Sequence, residues 1–94
     1  MGEEKVLEIL KVIAHPSRVE ILRRIKAHEA QGMVTCSCVL DGMDISQSTF
    51  SHHVSELSQC GLVTVKAQGR YGLLSIDQAV WEEFQGQLGK AVFG

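Results

Sequence analysis

Pro16, Gly32, Gly42, Gly61 and Gly69 divide this 94-residue chain into short segments. Proline and glycine are the strongest local breakers of helix and strand. The chain must therefore be assembled from several short elements around a shared core. No apolar run approaches the roughly 18 residues that a membrane helix requires. A second domain would need about as many residues again. Residues 1–94 are thus expected to form one domain. Apolar residues make up 45% of the chain and charged residues 21%, the balance of a globular protein.

Each segment has a period. Residues 3–14 read as a helix in which Leu7, Leu10 and Ala14 recur at spacings of three and four, with Glu4, Glu8 and Lys11 facing away. His15-Pro16 interrupts it, because a residue before proline avoids the helical region. Pro16 suits the first turn of the next helix. That helix carries Val19, Ile21, Leu22 and Ile25 on its apolar face and ends near Gly32. Met33-Val34-Thr35 is compatible with an extended stretch. Thr35 can also cap a short helix from Cys36 to Met43. After a turn at 42–45, Ser46 caps a helix whose inner stripe is Phe50, Val54 and Leu57, ending at Gly61. Leu62–Lys66 and Tyr71–Ile76 are β-type runs joined by Ala67-Gln68-Gly69-Arg70. A final helix over 77–92 is capped by Ser75 or Asp77 and spaces Val80, Phe84, Leu88 and Val92 four apart. Gly86 and Gly89 weaken it by roughly 1 kcal/mol each, so it is expected to depend on packing against something.

The fold class expected is mostly α with a β-hairpin. The order is helix, helix, short helix, turn, helix, hairpin, helix. A short helix–turn–helix over 36–60 followed by a hairpin over 62–76 is a winged helix-turn-helix.

The formal charge of −2 at first argues against a nucleic-acid partner. Its distribution does not. Glu3, Glu4 and Glu8 lie at one end and Asp77, Glu82 and Glu83 near the other. Between Ser46 and Ile76 only Glu56 is acidic, against Lys66 and Arg70. The outward face of the 46–60 helix carries Gln47, Ser48, Thr49, Ser51, His52, Ser55 and Gln59. A merely solvated helix favours Glu and Lys. Short hydrogen-bonding groups are what can approach base edges and phosphates in a major groove. This face points to double-stranded DNA as the partner. Of the adjacent histidines, His52 faces outward, while His53 lies beside Phe50 and Leu57 and reads as a packed, hydrogen-bonded residue.

Ser46-Gln47-Ser48-Thr49-Phe50-Ser51-His52-His53-Val54, followed by Leu57 and Gly61-Leu62-Val63, resembles the recognition-helix signature of the ArsR/SmtB repressors. Ala14-His15-Pro16-Ser17-Arg18-Val19-Glu20-Ile21-Leu22 is similar to the opening of that family's second helix. The resemblance covers about residues 5–77. It implies a dimeric, cytoplasmic transcriptional repressor on a palindromic operator, with no membrane association and no enzymatic activity. It implies DNA contacts from Gln47, Ser48, Thr49, Ser51 and His52, with Lys66 and Arg70 on the wing. It also implies a homodimer through the helices at 3–14 and 77–92, using Leu7, Leu10, Val80, Phe84 and Leu88.

Three cysteines, an odd number, argue against a disulfide framework. Cys36-Ser37-Cys38 resembles the Cys-x-Cys of family members that sense arsenite or soft metal ions, and thiolate suits soft ions. The pair stands one residue out of step with the family's motif. Residues two apart on a helix diverge by about 200°, so joint ligation calls for a frayed or extended segment at Thr35–Cys38. The expected function is release from the operator by arsenite or a soft metal ion at Cys36 and Cys38. Redox or reactive-sulfur sensing through the same cysteines is the alternative, and a protein-interaction module without inducer a second. Cys60 is either a third participant or a small buried residue. The zinc site that some members build on the last helix is expected to be absent, since that helix holds no histidine.

Overall fold

The computed structural model describes residues 1–69 and 71–94. Five helices and one hairpin follow in order: α1 (Glu3–Ile13), α2 (Pro16–Glu29), α3 (Cys36–Leu40), α4 (Gln47–Gln59), β1 (Val63–Gln68), β2 (Tyr71–Ile76) and α5 (Gln78–Phe93). This is the mostly helical architecture with an antiparallel hairpin that the segment order predicts.

Local chemistry explains where the helices begin. Pro16 opens α2 behind His15, whose Nδ1 accepts the Ser17 amide at 3.3 Å. The Thr35 hydroxyl accepts the Cys38 amide at 3.1 Å. Ser46 accepts from Thr49 at 3.1 Å and Asp77 from Val80 at 3.2 Å. Each such cap satisfies one of the amides that a helix start leaves orphaned. Gly61 follows α4 at φ +91°, in the left-handed region where a side chain would be strained.

The core is one cluster drawn from every helix. Val6, Ile9, Ile21, Ile25, Val39, Leu57 and Leu62 are fully buried, with Phe50, Val54, Leu74 and Phe84 close behind. The face of α1 differs from the expected one. Val6 and Ile9 point inward, Leu10 is half-buried and Leu7 is 48% exposed. The helix is apolar over much of its circumference, and packing on α5 and α2 selects the face. The fate of Phe84 is also different. It is 2% exposed within the single chain, so its ring is committed to this chain's own core rather than to a partner's. The large exposed apolar residues of α5 are Val92 and Phe93, while Val80 and Leu88 are half-buried. Among the described residues, nothing other than the neighbouring backbone of α5 itself approaches a Cβ position at Gly86 or Gly89 to within 4 Å.

The 33–35 segment is both things the sequence allowed. Leu74 N–H donates to the Val34 carbonyl at 2.8 Å, and Thr35 bridges Leu73 antiparallel. Residues 34–35 therefore pair with the free edge of β2 before Thr35 caps α3. That helix ends at Leu40, not Met43. Its C-terminal carbonyls are claimed by Arg24, whose guanidinium donates to Val39 O at 3.1 Å and to Asp41 O. In the hairpin, Val63 pairs with Ile76 and Gln68 with Tyr71. The strand thus runs two residues beyond the expected Lys66.

Candidate nucleic-acid interface

Three elements hold α4 in place. Phe50, Val54 and Leu57 seat it on the core. At its start the Ser46 hydroxyl donates to Thr49 Oγ1 at 2.9 Å and lies 3.2 Å from Ser48 Oγ. On its flank, Arg18 Nε–H donates to His53 Nδ1 at 3.0 Å while Arg18 Nη1–H donates to Val12 O at 3.1 Å. One guanidinium thereby ties α2 to the end of α1 and to α4. His53 is 5% exposed. Burial, then the nearby His15, Arg18 and His52, hold its pKa below the ordinary histidine value. The imidazole is kept neutral as an acceptor for Arg18. His15 stacks obliquely on it, with ring centroids 4.6 Å apart.

The face of α4 opposite this seat is open. Gln47, Ser48, Thr49, Ser51, His52, Ser55 and Gln59 are all exposed. Among these, Gln47, Ser51, Ser55 and Gln59 stand to one side, on the wall of a groove of about 440 Å³ between α4, α3 and the wing. Phe50, Leu40 and Val65 supply its apolar surface. Lys66 is exposed on β1, one residue beyond Val65. The recognition-helix candidates and the wing lysine thus lie on exposed surfaces of adjacent elements. Arg70, the other wing candidate, lies outside the described residues.

The cysteines occupy three different environments. The Cys36 thiol reaches the groove and also lies against the wing: a Cβ built on Gly72 would stand 3.0 Å from its Sγ. Burial, reinforced by Cys38, raises the Cys36 pKa above the ordinary thiol value. Cys38 turns back on its own helix, with Sγ–H donating to the Thr35 carbonyl at 3.1 Å. Cys60 is 1% exposed and donates to Leu57 O at 3.3 Å, the environment of a packed thiol. The segment Thr35–Cys38 is a capped helical turn, not the frayed stretch that joint ligation calls for. The two thiols therefore do not converge as folded. Among the described residues, no three His, Cys, Asp or Glu side chains gather into a metal-holding group.

Arg18 and Arg24 are the residues whose roles sequence reasoning missed. The Pro-x-Arg pattern marked Arg18 by resemblance, but its acceptors lie 6 and 35 residues away. Nothing in the local sequence of Arg24 signals that it caps α3.

Comparison with known proteins agrees with this geometry. A family described as "Helix-turn-helix domain" matches residues 13–66. The arsenical resistance operon repressor of Staphylococcus xylosus is 37% identical over 70 residues, covering 73% of this chain and 62% of the relative, so the chain spans about three fifths of that protein's length. The arsenical resistance operon repressor of Staphylococcus aureus is 30% identical over 84 residues, covering 88% of this chain and 76% of the relative. Among solved structures, a homodimeric winged helix-turn-helix DNA-binding domain from Mycobacterium bovis superposes with a TM-score of 0.70 at 22% identity, over 94% of this chain and 79% of that one. That last likeness is one of fold. With two repressors matched along most of its length and the hairpin standing beside its fourth helix, the chain belongs to the ArsR family of winged helix-turn-helix DNA-binding transcriptional repressors.

Proposed function

We propose that this protein represses its target promoter as a homodimer and lets go when a thiol-binding inducer remodels the first turn of α3. The DNA would be read by Ser48, Thr49 and His52, with Gln47 and Ser51 beside them and Lys66 and Arg70 on the wing phosphates. Two copies would meet through α1 and α5, where Leu7, Val92 and Phe93 stand exposed and Leu10, Val80 and Leu88 flank them. Two-fold symmetry in the protein calls for a palindromic operator with half-sites about one helical turn, or a multiple, apart.

The position of Cys36 carries the regulatory part of this reading. Its thiol touches the wing at Gly72 and the groove flanking α4. Any change that pulls Cys36 toward Cys38 must open the turn that Thr35 caps. The loss of a cap and one backbone bond costs a few kcal/mol, at about 1 kcal/mol apiece. Soft-ion thiolate bonds exceed that, and arsenite or a soft metal ion is the inducer class this chemistry suits. The relatives named for arsenical resistance support the same class. A hundredfold loss of operator affinity requires about 2.7 kcal/mol of coupling. Opening the turn moves a residue that lies against the wing and lines the groove beside the recognition helix, which is where that coupling would be expressed.

The test is a gel-shift titration on the gene's own promoter with arsenite, zinc, cadmium, peroxide and polysulfide. Native protein is expected to release with arsenite or a soft ion. The Cys36→Ser and Cys38→Ser variants are expected to bind DNA normally and fail to release. Release by peroxide or polysulfide alone, reversed by a dithiol reductant, transfers the switch to redox chemistry at the same pair. Continued release in both variants places sensing elsewhere.

A further inference from the structure

A second cavity, of about 610 Å³, takes none of its lining residues from α4. Its walls come from the end of α1, from α2, from the base of the hairpin and from the first turn of α5. Ile13, Leu22, Leu62, Ile76 and Trp81 make it apolar. Two cations, Arg23 and Lys26, stand at its edge, three residues apart on α2. This is the build of a small-molecule site: a few hundred Å³, apolar walls and a small number of placed charges.

The two cations are loosely held. Arg23 has Glu20 at 3.5 Å, but Glu20 gives its closer contact, 2.9 Å, to Arg24. The hydrogen bond from Arg24 is the main cause of the lowered Glu20 pKa. Lys26 has Glu29 at 3.6 Å, yet Glu29 turns its other oxygen to the Ile76 amide at 3.2 Å. Both carboxylates thus have stronger engagements elsewhere. The Arg23 and Lys26 side chains remain 72% and 65% exposed. Exposed ion pairs of this kind are weak and easily exchanged for a better-placed anion.

We propose that this cavity binds an organic acid with an apolar body: the hydrocarbon portion lies against Trp81, Leu22 and Ile76, and the carboxylate takes Arg23 and Lys26. The site is independent of the cysteine switch. Trp81 is the chain's single tryptophan, so its emission reports occupancy directly.

The experiment titrates the full chain with decanoate below its micelle-forming concentration and follows Trp81 fluorescence, with decanol as the uncharged control. Saturable binding is expected, one decanoate per chain, at least tenfold tighter than decanol. Arg23→Ala with Lys26→Ala is expected to cut decanoate affinity at least tenfold and leave decanol unchanged. Both side chains are exposed, so circular dichroism should show an unaltered fold. Equal affinity for acid and alcohol, or an undiminished affinity in the double variant, overturns the proposal. So does a silent Trp81. A response seen only when sedimentation shows that dilution has produced monomer assigns the cavity to a second copy of the chain, and overturns it equally.

Discussion

Arg18 and His53 meet across 35 residues of sequence, the guanidinium Nε–H donating to the imidazole Nδ1 at 3.0 Å. The bond requires a neutral His53. Its pKa lies below the ordinary histidine value, chiefly through burial and then through His15, Arg18 and His52. A depressed folded pKa means that the unfolded chain takes up the proton first. Stability from this group is therefore present above the unfolded value of about 6.5 and is lost as pH falls through the folded one. Chemical denaturation between pH 7.5 and 5 should show falling stability in the native protein. His53→Gln, which keeps an acceptor for Arg18 but does not titrate, should flatten that dependence. An unchanged slope in the variant would assign acid sensitivity to other groups.

Gly72 and Cys36 form a second long-range pair. A methyl group at position 72 would stand 3.0 Å from the Cys36 sulfur, inside ordinary contact distance. Gly72→Ala should destabilise the chain by about 1 kcal/mol, at the low end for overpacking. Removing the sulfur as well, in Cys36→Ala with Gly72→Ala, should recover most of that loss. The double-mutant cycle isolates the interaction. A coupling of zero would mean that the wing and α3 are not in contact at this point.

The proposed DNA face predicts a division of labour. Alanine at Ser48, Thr49 or His52 should weaken specific binding by about 1–3 kcal/mol for each residue that touches a base, whereas Lys66→Ala should weaken all sequences evenly and lower the salt slope by about 1. Unchanged promoter affinity in the triple alanine variant, measured by gel shift at fixed salt, would move the interface away from α4.

The proposed dimer should respond to exposed positions alone. Because Phe84 belongs to the core, removing α5 outright would unfold the chain rather than separate two copies. Leu7→Glu combined with Val92→Glu leaves the core untouched and places charge on both terminal helices. Sedimentation should show a monomer with native circular dichroism and much weaker operator binding. A dimer of undiminished affinity would place the interface on another surface.

Thiol chemistry has its own pH signature. The raised Cys36 pKa keeps the thiol protonated where an ordinary one begins to ionise. Binding of a soft ion by Cys36 and Cys38 must displace those protons. The concentration of cadmium needed for half-release should therefore fall as pH rises from 6.5 to 8.5, whereas neutral arsenite, whose hydroxide ligands leave with the thiol protons as water, should show little dependence on pH. A pH-independent midpoint for cadmium would argue against thiolate ligation.

What the sequence determined by itself is local. Thr35 and Ser46 cap their helices, Pro16 starts one, and Gly61 follows the end of another, because each of these effects acts between residues within a few positions of each other, while of the two caps the sequence offered for α5, Ser75 and Asp77, the structure takes Asp77. The inner stripe of α4 was equally legible, since Phe50, Val54 and Leu57 have no apolar rivals on its other faces. Hence most of the recognition helix could be read directly, including the exposure of Ser48, Thr49 and His52. In α1, by contrast, Val6, Leu7, Ile9, Leu10, Val12 and Ile13 spread over much of the circumference. Period alone cannot choose the innermost residues within so broad an apolar arc, and packing against α2 and α5 buried Val6 and Ile9 instead of Leu7. The same holds for Phe84 and for the edge pairing of Val34 with Leu74. Tertiary structure likewise decided two of the three thiols, Cys36 and Cys60. Cys36, Cys38 and Cys60 are alike in the sequence, but one faces a groove and a passing strand, one its own helix, and one the core. Cys38 meets Thr35 within one helical turn, but only the fold brings Gly72 to Cys36 and closes the core over Cys60.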